Sequence, residues 1–172
     1  MSTKTLQREA LALRQMSQEV PIKEIGSKKI QTLLVKLKRI LTGEEDGVAM
    51  AAPQIGINLR IFVVSERTLE LLHKKPPLHT IFINPKIIKF SKKKHQMEEG
   101  CLSIRWLYGQ VERSEKVIIQ AYDEQGQKFQ MGVSGLLAQI FQHETDHLNG
   151  IIFVDTATDL KDIPHQKDVP KN

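Results

Sequence analysis

The chain has little of several things that narrow its class. It holds one cysteine, Cys101, among 172 residues, so no intramolecular disulfide can form. That usage suits a reducing compartment, and a lone cysteine is ordinarily a small buried hydrophobe. No apolar run approaches the ~18 residues needed to cross a bilayer; the richest, Ile61-Phe62-Val63-Val64, has the length of a strand. The N-terminus has no apolar signal core, and Glu9 and Glu19 count against an amphipathic transit segment. Only 5% of residues are aromatic, too few for a platform that stacks single-stranded bases. An excess of one charge is also missing: 25 Lys+Arg against 20 Asp+Glu leave +5, which is no footprint of a dedicated nucleic-acid binder. Lys74-Lys75 and Lys92-Lys93-Lys94 lie beside turn signals and read as solvated loops. The functional alternative is weak, transient attraction to an anionic surface such as a ribosome.

What remains is an ordinary globular composition, 40% hydrophobic and 26% charged, with no repeat or linker to divide it. The length fits one domain. The expectation is a single cytoplasmic domain over residues 1–172, with a flexible polar tail from about 160 that contains Pro164 and Pro170.

Periodicity then places the elements. Ile30, Leu33, Leu34, Leu37 and Leu41 recur at helical spacing, with Ser27 as N-cap and Gly43 just past the end. The small-residue segment from Gly47 to Gly56 permits close backbone approach to a neighbouring element or a ligand. Strands are expected at Arg60–Val64, at Ile81–Asn84 with Ile87–Phe90, at Lys116–Tyr122 and Lys128–Met131, and at Ile151–Val154. Pro85 implies an edge or a bulge, and Asp123-Glu124-Gln125-Gly126 a hairpin turn. A second helix runs from Ser134 to Leu148, capped by Ser134 and closed by Asn149-Gly150 in a left-handed turn. Strands surrounding two helices without regular alternation make an α+β pattern.

The second helix carries His143-Glu144-Thr145-Asp146-His147. Histidines four residues apart lie one above the other, so both rings can reach one metal ion. Leu136, Ile140, His143 and His147 share a stripe that points the imidazoles inward. Glu144 flanks that ion and can take a proton from water without being a ligand, while Asp146 lies off the stripe. A shuffled chain of this composition would carry His-Glu-x-x-His about 0.015 times. The bland reading is a pair of core histidines. A catalytic site commonly needs a third protein ligand. His73, His79, His95 and His165 sit in surface-like stretches, which leaves Cys101 as the candidate, against its equal standing as a buried hydrophobe.

Three segments together carry a resemblance. Gly47-x-Ala49-Met50-Ala51-Ala52-Pro53-Gln54, Glu99-Gly100-Cys101-Leu102-Ser103 and His143-Glu144-x-Asp146-His147 are similar to the three motifs of the peptide deformylases, in the family's order and at comparable spacing. The likeness runs from Leu13-Arg14 to about Asp155. It implies mostly antiparallel sheets packed around a central helix that carries the histidine motif. It also implies Cys101, His143 and His147 as ligands of one divalent ion, Fe²⁺ in the cell with Zn²⁺ and Ni²⁺ as substitutes. Glu144 would be the general acid/base, and Gln54 with the backbone N–H of Leu102 would hold the developing oxyanion. Ala49, Met50, Gly100 and Ile140 would border the substrate. Glu99 and Asp146 would support the ligands from outside, and Arg113 would tie the nearby strand by a salt link. The implied substrates are N-formylmethionyl peptides, in a bacterial cytoplasm rather than an organelle, with no membrane and no specific nucleic acid as partner.

The chain departs from the family pattern twice. Ala49 and Met50 stand where glycine and leucine are usual, and Arg105-Trp106 where a Pro-Gly-like pair is usual. Both bear on peptide preference and turnover more than on reaction type. Two other readings compete: a metallopeptidase, which shares His-Glu-x-x-His, and a deformylase-like protein with altered substrate or a structural metal. Cysteine as third ligand disfavours the first, and the presence of Glu144 and Gln54 the second.

Overall fold

The computed structural model describes residues 10–72 and 79–163. The architecture is α+β, with two antiparallel sheets and a C-terminal helix between them. Helix α1 (Lys28–Thr42) follows the expected stripe: Ile30, Leu34, Leu37, Ile40 and Leu41 are buried, and Ser27 Oγ accepts the Ile30 N–H at 3.3 Å. Then come β1 (Ala49–Ala51), β2 (Ile61–Val64), helix α2 (Glu66–Leu72), β3 (Ile81–Phe90), β4 (Lys94–Cys101), β5 (Ile104–Ser114), β6 (Lys116–Tyr122) and β7 (Lys128–Ser134). Helix α3 (Gly135–Leu148) and β8 (Thr158–Asp162) complete the order.

The larger sheet has the order β1-β2-β3-β6-β7 and the smaller β4-β5-β8. Strand β2 is apolar at every position because both faces of the larger sheet are covered. Phe62 and Val64 join the core shared with α3, whereas Ile61 and Val63 join the core shared with α1. Each fully buried side chain of this kind contributes roughly 1.5–3 kcal/mol. A third core, Leu13, Ile104, Val111, Ile152 and Phe153, backs the smaller sheet.

Several local expectations change. Strand β3 is continuous and lies between β2 and β6, so Pro85 marks a bulge and not an edge. Asn84 supplies the bend at φ 49°, and its side-chain amide bonds both the N–H and the carbonyl of Val20. Ser134 precedes α3 without a side-chain capping bond. Gly150 does take the left-handed turn, at φ 75°, where an added Cβ would stand 2.7 Å from the Arg14 carbonyl oxygen. Residues 151–154 are not a strand. Phe153–Asp155 form a short 3-10 turn in which the Asp155 carboxylate accepts the Ile152 N–H. Beyond it, Thr158–Asp162 pair with β5, so a strand occupies the start of the expected tail; residues 164–172 lie outside the described ones. The lysine pair 74–75, His73 and His165 also lie outside them.

Candidate metal centre

Two strand ends and one helix build the site. Strand β4 ends at Cys101, and a tight turn through Leu102 and Ser103 returns the chain into β5, with Cys101 opposite Ile104. The turn sits against α3, which packs on β1, β3, β6 and β7 on one side and β5 on the other. Gly100 makes the close approach workable, because a Cβ there would stand 2.6 Å from the Tyr108 ring. The sulfur reaches the helix: Cys101 Sγ lies 3.3 Å from His147 Nε2. The donor atoms of Cys101, His143 and His147 all fall within 4.8 Å of one another.

Around these three, Glu99, Arg113 and Gln54 are each set by named partners, whereas His147 Nδ1 is buried without a hydrogen-bond partner among the described residues. The buried Glu99 carboxylate accepts Arg113 Nε at 2.6 Å and Nη2 at 2.9 Å, and faces His143 Nδ1 at 3.0 Å. Arg113 spends its remaining nitrogen on Asp146 Oδ2 at 2.6 Å. Gln54 is 2% exposed. Its Oε1 accepts the Ala51 N–H at 2.8 Å, which fixes the amide so that Nε2 donates toward Ser103 Oγ at 3.3 Å and Cys101 Sγ at 3.6 Å. On α3 itself, Gln139 Nε2 donates to the Glu98 carbonyl and Gln142 bridges the backbone of Ser114, which tie the helix to β4 and β5.

The charges follow from this packing. Burial alone would raise the Glu99 carboxyl, but hydrogen bonds from His143 and Arg113, with their charges, hold it at about 2. Burial also opposes a thiolate at Cys101, yet the His147 charge and hydrogen bonds from both imidazoles keep the thiol well below its ordinary range. His143 is held well above the imidazole range, since Cys101 and Glu99 outweigh its burial. Glu144 goes the other way: burial pushes it up to about 7, against the pull of His143 and His147. Glu144 Oε2 is buried without a hydrogen-bond partner among the described residues. A soft sulfur, two imidazoles and an orphaned carboxylate oxygen beside them fit one divalent transition ion with water at its open side.

A cleft of about 240 Å³ opens onto these groups. Ala49, Gln54, Gly100, Cys101, Leu102, Ile140, His143 and Glu144 line it. Not every expected residue is there. Met50 is fully buried in the core shared with α1, because β1 sends alternate side chains to opposite faces of its sheet. Leu136 lines the cleft but is 46% exposed and does not share the buried setting of His147, since the core takes its neighbours Leu137 and Ala138 instead. Ser103, which sequence reasoning gave no role, is fully buried and anchors Gln54; its place in the motif that ends Cys101-Leu102-Ser103 was the signal for it. His79 stacks on Phe129 and His95 faces Glu115, so neither joins the centre.

A family model described as polypeptide deformylase matches residues 4–162. A peptide deformylase of Psychrobacter cryohalolentis is 39% identical over 141 residues, covering 82% of this chain and 72% of that one. A chloroplastic peptide deformylase 1A of Solanum lycopersicum is 37% identical over 154 residues, and covers 83% of this chain and 55% of that one. Among solved structures, a peptide deformylase from Synechococcus elongatus in complex with actinonin superposes with a TM-score of 0.78 at 36% identity, over 91% of this chain and 79% of that one. The chain belongs to the polypeptide deformylase family.

Proposed function

We infer that this member of the polypeptide deformylase family is a metal-dependent amide hydrolase that removes the N-formyl group from formyl-methionine at the start of new polypeptides and releases formate. The observation that carries the reading is the meeting of Cys101, His143 and His147 beside a buried Glu144 whose Oε2 has no hydrogen-bond partner among the described residues, with Cys101, His143 and Glu144 lining a cleft. The walls suit an extended peptide. Strands β1 and β4 are both outermost in their sheets, and Ala49 of one and Glu98 to Gly100 of the other line the cleft. A chain laid between two such edges can pair its backbone on either side.

The ligands we assign are Cys101 Sγ and the two imidazoles, with Fe²⁺ as the ion and Zn²⁺ or Ni²⁺ suited to the same donors. Such an ion acts as a Lewis acid and lowers the pKa of water, to about 7 in favourable zinc sites. The protein does the rest. Glu99, locked by Arg113, accepts the His143 Nδ1–H and so fixes the ring's tautomer and aim. Glu144 takes the proton of the attacking water and delivers it to the amine nitrogen as the carbon–nitrogen bond breaks, a task suited to a carboxyl near neutrality. Gln54 Nε2 and the Leu102 N–H hold the formyl oxygen as it gains negative charge, from the amide that Ala51 pins and from the turn beside the sulfur. Ile140 gives the methionine side chain an apolar wall. Residues 1–172 act as one catalytic domain in this reading. Its setting is the bacterial cytoplasm, with transient attraction of the Lys92-Lys93-Lys94 turn to a ribosomal surface. No described helix is long and apolar enough to cross a membrane.

Formate release from formyl-Met-Ala-Ser, by protein purified without air, tests the reading against acetylated and unblocked peptides. Release from the formylated peptide alone is expected. Equal cleavage of the acetylated peptide means a broader deacylase, internal cleavage means a peptidase, and no cleavage with metal bound means a structural centre.

A further inference from the structure

The rim of the cleft carries a feature that formyl removal does not require. Trp106 has φ 67°, a left-handed conformation that a bulky side chain rarely adopts. It occupies the second place of Arg105-Trp106, where glycine would take that φ freely. Strain of this kind persists only where surrounding structure over-determines it, and it gathers at ligand sites. Here the surrounding structure is visible. Arg105 Nη1 forks onto Asp46 at 2.9 and 2.7 Å, and its Nη2 pairs with Glu44. The guanidinium carbon lies 5.5 Å from the Trp106 ring centroid. Glu44 and Asp46 precede β1, on one wall of the cleft, and Arg105 and Trp106 belong to β5, on the other. The strap therefore joins the two walls, and Asp46, Arg105, Trp106 and Leu136 all line the cavity.

We propose that Trp106 is a specificity-determining residue for the side chains that follow the formylated residue, and that Arg105 is the positioning residue that holds it. The half-buried indole, clamped beneath a guanidinium, is a rigid apolar platform at the outer end of the cleft. A peptide threaded between β1 and β4 leaves by this rim, so an aromatic side chain after the first residue meets the platform, whereas glycine meets nothing. The inference rests on the deformylase reading, and a chain that releases no formate from any formylated peptide would sink that reading first.

The experiment compares kcat/KM for formyl-Met-Gly-Gly, formyl-Met-Phe-Gly and formyl-Met-Gly-Phe. One aromatic contact supports a preference of about tenfold for the better phenylalanine peptide over the glycine peptide, expressed in KM. In Trp106→Ala and in Trp106→Gly the ratio should fall to near one. Ala keeps the backbone strain and Gly removes it, so equal loss in both assigns the effect to the indole. In Arg105→Gln the ratio should fall about threefold. The parent should show the same fall between about 0.05 and about 0.5 M NaCl, because the strap is partly exposed and screened by salt. The proposal is overturned if the parent shows no preference, or if Trp106→Gly retains it while still releasing formate.

Discussion

Replacing Arg113 by methionine should unfold the centre before it touches the chemistry. The Arg113 side chain is 9% exposed and that of Glu99 3%, so neither group can turn to water when its partner is lost. Two hydrogen bonds to Glu99 and one to Asp146 disappear together. Removing one partner of a buried ion pair costs about 3–5 kcal/mol, mostly because the other charge is stranded. Asp146 moderates this, since its side chain is 25% exposed and can rehydrate. We therefore expect a loss of about 3 kcal/mol in urea unfolding, or about 6–12 °C in thermal midpoint for a domain of this size. The double variant Arg113→Met with Glu99→Gln should recover at least about 1 kcal/mol of that loss, because no stranded carboxylate remains. Single losses that simply add in the double variant, or an Arg113→Met protein within about 1 kcal/mol of the parent, would refute the claim that this pair supports the His143 side of the site.

The other predictions concern the reacting groups. Glu144→Gln should retain bound metal by elemental analysis yet lose most formate release; unchanged turnover would remove Glu144 from the mechanism. The same variant has a stability signature in protein stripped of metal by a chelator. The folded Glu144 pKa is raised from 4.5 to about 7, so the carboxyl is neutral in both states below pH 4.5 and burial of its charge is a penalty above pH 7. Glu144→Gln should thus be more stable than the parent at pH 8, by up to about 3 kcal/mol, with the gap closing between pH 7 and 4.5 in urea titrations. In the loaded enzyme the ion's charge draws Glu144 lower, so the acid limb of kcat/KM should fall at or below about pH 7. Cys101→Ala should lower metal content sharply, and full occupancy would refute its ligation. Gln54→Ala should reduce kcat about 10²–10³-fold with a smaller change in KM, as for loss of one oxyanion donor; a change in KM alone would make Gln54 a binding group only.

How much of this was readable before folding depends on the range over which each feature is encoded. Helices α1 and α3 are local, and their apolar stripes and ends show in the sequence. Strand β2 shows as an apolar run because it is covered on both faces. Strand β1 does not show at all: Ala49-Met50-Ala51 has little strand propensity, and its pairing with β2 decides its state. Strand β8 is exposed at every position, so no alternation marks it. The two histidines are four residues apart and legible, but the sulfur comes from 46 residues away, and composition left it even between ligand and core residue. Arg113 meets Glu99 across 14 residues and Asp146 across 33, distances that no local pattern spans.

That division has a mechanical reason. The helix alone can place two rings on one face, but a third donor must approach from another element, and here it arrives on a turn between two strands. The turn's position is fixed by the register of β4 on β5, which shifts between Gly100 and Cys101. A one-residue slip there would carry the sulfur to the opposite face of the sheet, away from His147. Glu99 and Arg113 lie on these same two strands and Asp146 on α3, so their ion pairs lock strand register to helix position. The carboxylate that orients His143 is thus also the group that keeps Cys101 within reach of the rings. This is why Arg113→Met should lower metal affinity as well as stability, although the hydrogen bonds of Arg113 go to Glu99 and Asp146 and not to the donor residues themselves. Metal affinity measured well below the unfolding transition separates the two effects: parent-like affinity there would mean that the register holds without the ion pair.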